Sequence, residues 1–469
     1  MASTDEGQPE AARASPQLWR ISSVAVLGSF LAQMDATVVN VSLSSLALEL
    51  HATVSSIQWV TSGYLLALAL TLPLSGWLVD RVGAKALYLW CFSAFTLTSM
   101  LCGLAWSANS LVGFRILQGM SGGLLAPMAQ LLMARAAGDK MARIFGLAAM
   151  PILLAPLLGP VIAGALLHFA SWRWLFLVNL PFGLLALMLA ALFLPHDRHE
   201  RRPRSLDLIG LCLLSPSVVL FLYGSERATD PVGLAALALS ALLFIVFFRW
   251  ATRKTDAAII DLRLFKDDIF SAAVVTQFLA QGVSFAGQML VPVFLTRAGG
   301  LSPSETGLLL AAQGLGMMVS FPLVGPLVER LGNRHVAVGG ALTALLSTFP
   351  FIYLAGHDLS NTLAAGALFM RGVGLSYIGI PSISAAYASV EREDLPLATT
   401  SLNIVMRMGG PTLTTICATF LAWRLAAHMT APISIGYGES FMLLGGFHLV
   451  LLAAATRLPR SVPKSGRTA

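Results

Sequence analysis

Charged residues are scarce in this sequence. Asp, Glu, Lys and Arg make up 11% of its 469 residues, hydrophobic residues make up 56%, and the mean hydropathy is +0.77. A soluble domain carries about 25% charged residues. The composition therefore argues against a soluble domain anywhere in the chain and predicts an all-α protein that crosses a membrane many times.

Cysteine is also rare, and no spacing typical of a metal site or a catalytic motif occurs. Cys91, Cys102, Cys212 and Cys417 all fall within apolar runs, so we expect small core residues rather than a disulfide or metal ligands. The histidines are scattered, and neither a nucleophile elbow nor a phosphate-binding loop is present. We therefore expect no enzyme activity, no metal and no cofactor.

Long apolar runs are what the sequence has in abundance. At about 1.5 Å per residue, about 20 apolar residues cross a bilayer core of about 30 Å. Fourteen such runs lie at roughly 21–46, 56–79, 84–106, 108–134, 141–168, 174–194, 207–224, 231–249, 269–296, 304–328, 335–355, 361–389, 396–423 and 439–456. We expect each run to be one transmembrane helix.

The basic charge follows this topology. The formal net charge of +7 could suggest nucleic acid as a partner. Fourteen spans place both ends of the chain on one side, and 23 of the 30 Lys and Arg residues then fall on that side. Because the positive-inside rule assigns such loops to the cytosol, we expect both termini to be cytosolic, a location in the cell membrane, and no nucleic-acid partner.

The runs also divide the chain into parts. We expect two six-helix bundles, separated by a basic linker that carries two extra spans, with a short polar tail at each end. The predicted parts are a cytosolic tail at 1–18, a first bundle at 19–195, the linker with its two spans at 196–268, a second bundle at 269–457 and a cytosolic tail at 458–469.

An internal repeat relates the two bundles. The segment G-W-L-V-D-R-V-G-A-K (76–85) recurs as G-P-L-V-E-R-L-G-N-R (325–334), with five identical positions and three conservative exchanges. Each copy follows the second span of its bundle. Two similar halves of this kind are typical of transporters whose halves rock about a central binding site.

Asp35 is an acidic residue deep within an apolar run, where a carboxylate costs about 3 kcal/mol to insert. Counting along the helices places both Asp35 and Arg115 about 9 Å from the outer surface. Each charge needs a partner in a low dielectric, and each could be the partner of the other, with Gln118 one turn away. The pair is either functional or a permanent structural ion pair.

Several motifs occur together. They are D-A-T-V-V-N-V-S-L-S (35–44), the repeated loop at 76–85, L-V-G-F-R-I-L-Q-G-M-S-G-G (111–123), A-P-L-L-G-P-V-I-A-G (155–164), W-R-W-L-F-L-V-N-L-P-F-G (172–183), I-D-L-R-L-F (260–265) and A-T-T-S-L-N-I-V-M-R-M-G-G (398–410). In this combination the sequence resembles the fourteen-helix drug:proton antiporter branch of the major facilitator superfamily. The sequence departs from the family pattern at Ser44, Ala84, Ala155 and Ala163.

The resemblance implies a major facilitator fold and a role for each motif. Asp35 and Arg115 would take part in proton coupling. The loop residues Asp80, Arg81, Glu329 and Arg330 would form a latch, with Asp80 at the helix that begins near 395–400 and Glu329 near Arg143. The residues of the fifth span that match the family's antiporter motif are Pro156, Gly159, Pro160 and Gly164. The prolines are expected to bend that helix.

Candidate substrate contacts are polar or aromatic residues within apolar runs. They are Asn40, Gln58, Trp59, Tyr64, Gln118, Gln277, Gln281, Gln288, Gln313 and Asn403. A mostly apolar pocket with few polar groups suits amphipathic organic molecules. Arg407 is a lone arginine in the penultimate span, which makes it a functional candidate of unassigned role, and near the cytosolic end it could equally extend to the lipid headgroups.

These observations predict a secondary active transporter. We expect a proton-coupled antiporter that exports small amphipathic organic molecules by alternating access. Its partners would be a small organic substrate, protons and membrane lipids, and the protein would be a monomer. An importer on the same fold is the alternative, and a membrane sensor or enzyme is a weaker one because no catalytic motif supports it.

Overall fold

The protein is built from helices that cross the molecule. The computed structural model describes residues 16–137, 140–195, 205–254, 258–427 and 433–460, and these residues form no strand. Of the predicted tails at 1–18 and 458–469, residues 1–15 and 461–469 lie outside the described residues, as do residues 196–204 of the predicted linker. Among the described residues, twelve helices are long and apolar enough to cross a membrane. One of them, Pro303–Leu354, divides into two spans, and Met141–Phe169 adds another, so the fourteen predicted spans are all present.

The helices follow the predicted runs closely. In chain order they are α1 (Pro16–Val41), α2 (Leu43–Glu49), α3 (Val54–Thr71), α4 (Ser75–Val82), α5 (Ala84–Gly103), α6 (Ala108–Ala137), α7 (Met141–Phe169), α8 (Trp174–Leu177), α9 (Asn179–Phe193), α10 (Leu208–Glu226), α11 (Pro231–Arg253), α12 (Asp268–Arg297), α13 (Pro303–Leu346), α14 (Phe349–Leu354), α15 (Asn361–Ala388), α16 (Leu395–Ala427) and α17 (Ile433–Ala455). Short 3-10 turns occupy Leu72–Leu74 and Leu262–Lys266.

The first apolar run differs from the single helix predicted for 21–46. Helix α1 ends at Val41, and a separate short helix, α2, begins at Leu43. Between them the hydroxyl of Ser42 donates to the carbonyl of Val38 at 2.7 Å. The backbone of Ser42 has φ of −93° and ψ of 2°, which interrupts the regular helix for one residue.

The sequence repeat corresponds to a repeated turn. Gly83 ends α4 with φ of 92°, and Gly332 interrupts α13 with φ of 82°. Both values lie in the left-handed region that favours glycine, so each glycine makes a tight turn between two consecutive spans. A side chain at Gly332 would also collide with the backbone of Arg460. The repeat therefore places the same turn at the same point of each half.

Two six-helix halves pack side by side. Helices α1–α9 form the first half and α12–α17 the second, and the largest hydrophobic core spans both. The extra helices α10 and α11 pack on each other, and α10 also contacts α3 and α16. A second, smaller cluster of buried apolar residues, including Leu72, Leu214 and Ile404, joins this pair to the two halves.

Asp207 anchors the extra pair at its start. Its carboxylate accepts from the backbone of Gly210, the indole of Trp250 and the ammonium of Lys254, each at 3.0 Å. Burial raises the pKa of Asp207, but these three bonds outweigh it and leave the pKa below its usual value. The start of α10 is thereby tied to the end of α11.

The halves meet mainly at one end of the bundle. We call the side where α1 begins and α17 ends the terminal face, and the other side the opposite face. Near the terminal face, α4 contacts the start of α16, and α7 contacts α13. Gly76 lies against Thr400 and the carbonyl of Pro396, and Gly325 lies against the backbone of Arg143, so the halves approach closely there.

Candidate functional site: a buried ion pair beside a central cavity

Asp35 and Arg115 form an ion pair inside the first half. A nitrogen (Nη1) of Arg115 on α6 lies 2.6 Å from Oδ2 of Asp35 on α1. Asp35 is 1% exposed and Arg115 is fully buried. The depth counted from the sequence is thus consistent with a direct contact between the two side chains.

Further polar side chains complete the cluster around the carboxylate. Oδ1 of Asp35 accepts from the amide of Asn179 at 2.8 Å and from that of Gln118 at 3.3 Å. Gln118 also accepts from Arg115 at 2.7 Å. We call Asp35, Arg115, Gln118 and Asn179 the coupling cluster.

Arg115 is held by the backbone and by an aromatic ring as well. Its Nε donates to the carbonyl of Val60 at 3.2 Å, and its guanidinium carbon lies 4.1 Å from the ring centroid of Tyr64. One guanidinium nitrogen, Nη2, has no hydrogen-bond partner among the described residues. Because a buried charge is costly without its counter-ion, loss of the negative charge on Asp35 would leave Arg115 strongly destabilised in its present position.

Asn179 was not singled out in the sequence. It lies in the motif at 172–183 and begins α9, and it bridges Asp35 to the hydroxyl of Ser99 at 3.1 Å. The signal that could have revealed it is its position, since a polar amide stands within the apolar run 174–194. Sequence spacing alone does not show which helix face it shares with Asp35.

A central cavity of about 450 Å³ lies between the halves. Helices α1, α3, α6 and α7 of the first half and α12, α13, α15 and α16 of the second contribute to its wall. Its polar lining consists of Ser29, Gln33, Tyr64, Gln130, Gln277, Gln281, Ser284, Ser376 and Arg407, and the rest is mostly apolar. Tyr64 belongs to this wall and also contacts Arg115, so one side chain connects the cavity with the coupling cluster.

Some of the predicted substrate-contact residues line this cavity, and others lie elsewhere. Tyr64, Gln277 and Gln281 line it, whereas Gln118 is enclosed in the coupling cluster. Five others lie outside its wall, namely Asn40, Gln58, Trp59, Gln288 and Gln313. Asn40 lies in the last turn of α1, and Gln58 and Trp59 lie in the second turn of α3, so all three are near the opposite face. A polar residue in a span reaches a central cavity only if its helix face and depth both match.

Asn403 takes part in a contact between the halves. The amide oxygen of Gln130 on α6 accepts from the amide of Asn403 at 2.8 Å and from the hydroxyl of Tyr387 at 2.9 Å. Gln130 also lines the cavity. Closer to the terminal face, the hydroxyls of Ser75 and Thr400 lie 2.7 Å apart. These bonds join the halves on the terminal side of the cavity.

The expected latch residues differ between the two copies of the repeat. Asp80 is buried within α4, which packs against the start of α16, and Arg81 stacks on Trp77 with 5.5 Å to the ring centroid. Glu329 and Arg330 are exposed. Glu329 forms no hydrogen bond or ion pair with any described residue, and Gly325, one turn earlier in α13, packs against Arg143.

The fifth-span motif lies within the continuous helix α7. Gly159 packs so closely on α1 that a methyl group there would lie 2.7 Å from the side chain of Thr37. Gly164 faces open space. Pro156 and Pro160 lie between the ends of this helix. Gly159 therefore allows α7 to approach the helix that carries Asp35.

The second half contains a comparable arginine without an acid. Arg371 on α15 is fully buried, and its Nη2 donates to the carbonyl of Val283 at 2.6 Å. Its Nε and Nη1 have no hydrogen-bond partner, and no described residue forms an ion pair with it. The carboxylate–arginine pair thus belongs to the first half.

Comparisons with known sequences agree on one family. The model of the Major Facilitator Superfamily matches residues 25–274 and 269–468. A multidrug resistance protein B homolog of Mycobacterium tuberculosis is 32% identical over 416 residues, covering 87% of this chain and 77% of that protein. A putative multidrug resistance protein MdtD of Salmonella typhi is 33% identical over 345 residues, covering 72% of each.

Solved structures have the same fold. The proton:xylose symporter XylE is 15% identical with a TM-score of 0.64, covering 94% of this chain and 95% of that one. The human organic anion transporter MFSD10 is also 15% identical with a TM-score of 0.64, covering 94% of this chain and 100% of that one. The chain therefore belongs to the major facilitator superfamily, in the fourteen-helix branch that its motifs predict.

Proposed function

We propose that this transporter exports small amphipathic organic molecules from the cell in exchange for protons. The observation that carries the proposal is the position of the coupling cluster. A buried carboxylate and its arginine lie directly behind Tyr64, which is part of the wall of a central cavity between two halves. The multidrug resistance proteins among the relatives support drug-like molecules as cargo.

The exchange follows from the charge balance of the cluster. With Asp35 ionised, Arg115 is neutralised and the carboxylate is satisfied by three side chains. When Asp35 takes up a proton, the guanidinium keeps its charge and loses its counter-ion in a low dielectric. The unpaired charge then favours a different position of Arg115. Tyr64 stacks on Arg115, so a movement of the guanidinium would also shift this part of the cavity wall. Alternate protonation would thus favour alternate positions of the halves.

The orientation is part of the proposal. Because most basic residues lie on the side of the termini, the terminal face would be cytosolic and the protein would lie in the cell membrane as a monomer surrounded by lipids. The contacts of Gln130 and Thr400 then hold the cytosolic side of the cavity together. In this scheme the structure would represent a state that receives protons from outside and has released its substrate there.

Transport into inside-out vesicles tests the proposal. With an acidic interior, the wild-type protein should accumulate substrate while protons leave. Asp35→Asn keeps the size of the side chain but cannot lose a proton, so we expect gradient-driven uptake to fall at least about 100-fold. Asp230→Asn, which changes an exposed carboxylate at the start of α11, is the matched control and should transport normally. Full gradient-driven uptake by Asp35→Asn would exclude this role for the residue.

The same vesicles separate export from import. An importer would move substrate out of inside-out vesicles when the interior is acidic. Accumulation in the interior supports export, and proton-driven depletion would establish the alternative. A sensor or enzyme on this fold would show no gradient-dependent movement of any solute.

A further inference from the structure

Resting on the proposed export function, we infer that the cavity binds an amphipathic organic anion through Arg407. The substrate class would be an apolar body of drug-like size that carries one carboxylate or similar oxyanion. The argument depends on which charges line the cavity, which of them are already paired, and what the rest of the wall offers.

Arg407 is a charged group open to the cavity. Among the described residues that line it, Arg407 alone carries a formal charge. Its side chain is half-buried and makes no hydrogen bond or ion pair with a described residue. Because it lies twelve residues into α16, about 18 Å from the start of that helix, it is too deep to extend to the headgroups of the terminal face.

The other arginines within spans are arranged differently. Arg115 is paired with Asp35, and Arg371 is fully enclosed by protein, with its Nη2 on a backbone carbonyl. Arg407 differs from Arg115 because it lacks a counter-ion, and it differs from Arg371 because it faces an open volume. An unpaired cation in a low dielectric is costly, and a bound anion would offset that cost with a charge-assisted hydrogen bond.

No acidic residue is available for a cationic substrate. No Asp or Glu is among the described residues that line the cavity. Asp35, in the neighbouring coupling cluster, is 1% exposed, and its oxygens accept hydrogen bonds from Arg115, Gln118 and Asn179. A cation in this cavity would meet Arg407 without any compensating carboxylate. The charge of the wall therefore favours an anion over a cation.

The remaining wall suits the body of such a molecule. Gln33 and Gln281 line the cavity, and their side-chain amides form no hydrogen bond with a described residue, so these amides are available to a ligand. Leu65, Phe145 and Phe321 supply apolar surface. A volume of about 450 Å³ lies within the range of about 300–1,000 Å³ that is usual for drug-sized ligands.

Three matched probes test the inference. 2-Naphthoxyacetate, 2-naphthoxyethanol and 2-(2-naphthoxy)ethylammonium share one apolar body and differ in charge. We would measure their equilibrium binding to the purified protein in detergent against protein-free micelles, and then their uptake into proteoliposomes driven by a pH gradient. We expect the anion to bind at least about ten-fold more tightly than the cation.

Substitutions then assign the preference to Arg407. Arg407→Gln should weaken binding of the anion by about 10- to 100-fold, which is the range for a lost charge-assisted hydrogen bond. The same substitution should leave binding of the alcohol unchanged. Arg407→Lys should retain part of the preference. Arg249→Gln, an exposed arginine on α11, is the matched control and should bind all three probes as the wild type does. Unchanged elution and melting temperature would show that the variants are folded.

The outcomes separate this inference from the proposed function. Equal or tighter binding of the cation, no binding of the anion, or an unchanged affinity in Arg407→Gln would overturn the inference. If the ammonium or the alcohol is nevertheless accumulated with the gradient beyond the level in protein-free liposomes, export itself stands. If the anion binds through Arg407 but no probe moves with the gradient, the inference stands and proton-coupled export fails.

Discussion

The Asp35 carboxylate is held by side chains from two other helices. Arg115 and Gln118 come from α6, and Asn179 begins α9. Asn179 is the member that also reaches α5, through Ser99. The Asn179 amide therefore fixes the position of the acid relative to the helices around it. Together with Arg115 and Gln118 it donates hydrogen bonds to both oxygens of the ionised carboxylate.

Removal of the Asn179 amide should weaken the cluster. We expect Asn179→Leu, which keeps the volume of the side chain, to lower the free energy of unfolding by about 1–3 kcal/mol, because a buried carboxylate loses a donor. Titration with SDS from mixed micelles would measure this. Ser99→Ala is the control, since Ser99 binds the same amide but not Asp35. Equal effects of the two variants on stability and transport would contradict a specific role at the acid.

At the scale of the elements, two devices recur in both halves. The first is a basic residue that follows the tight glycine turn. Lys85 donates to the carbonyls of Ala191 and Leu194 at 2.8 and 2.7 Å, and Arg334 donates to the carbonyl of Leu458 at 2.6 Å. Each cation thus binds carbonyl groups at, or just beyond, the end of the last helix of its own half, where the helix dipole favours positive charge.

Loss of either cation should loosen the last helix of that half. We expect Lys85→Met and Arg334→Met each to lower the free energy of unfolding by about 1 kcal/mol, with the double variant losing about twice as much. Lys85→Arg should retain most of the stability because it can still donate. The same SDS titration measures all four variants. A wild-type midpoint for Lys85→Met would rule out the capping role.

The second device is close packing of paired helices on glycine. A methyl group at Gly119 on α6 would lie 2.3 Å from the carbonyl oxygen of Tyr64 on α3. In the second half, Gly372 on α15 would meet the carbonyl oxygen of Gln313 on α13 at 2.1 Å. Since these contacts are with backbone atoms, they cannot be relieved by a change of side-chain rotamer.

A pair of alanine substitutions on one helix tests this packing. Gly119→Ala should force α3 and α6 apart and cost at least about 1–3 kcal/mol, seen as a lower yield of folded protein and an earlier SDS midpoint. Gly113→Ala, on the same helix but facing open space, should be neutral or slightly stabilising. If both variants have the same folded yield and SDS midpoint, the stability of this region depends on helix propensity and not on the contact between α3 and α6.

At the scale of the whole molecule, the contacts between the halves are uneven. The bonds of Ser75 with Thr400 and of Gln130 with Asn403 and Tyr387 all lie on the terminal side of the cavity. Rocking of the halves would have to break them to open the terminal face. They are few and polar, so their rupture is compatible with a reversible cycle.

A cross-link between α4 and α16 should therefore arrest transport. The hydroxyl oxygens of Ser75 and Thr400 are 2.7 Å apart, so Ser75→Cys with Thr400→Cys should form a disulfide on oxidation. We expect oxidation to abolish gradient-driven uptake and a reductant to restore it. Each single cysteine variant, oxidised in parallel, controls for the native cysteines. Normal transport by the cross-linked protein would show that these helices need not separate.

The sequence by itself determined the fourteen spans, the two related halves and the family. It also placed Asp35 and Arg115 at a similar depth in the membrane. These features depend on hydropathy, on chain length against bilayer thickness and on a repeat, all of which can be read along the chain. The turn glycines Gly83 and Gly332 belong to the same class, because the repeat marks them directly.

Only the tertiary structure decided which polar groups act together. Asn179 lies 144 residues from Asp35, and Asn403 lies 273 residues from Gln130. Arg407 faces the cavity, whereas Gln58 and Gln313 do not contribute to its wall. The rotation of each helix about its axis decides these contacts, and that rotation is set by the packing of several helices at once.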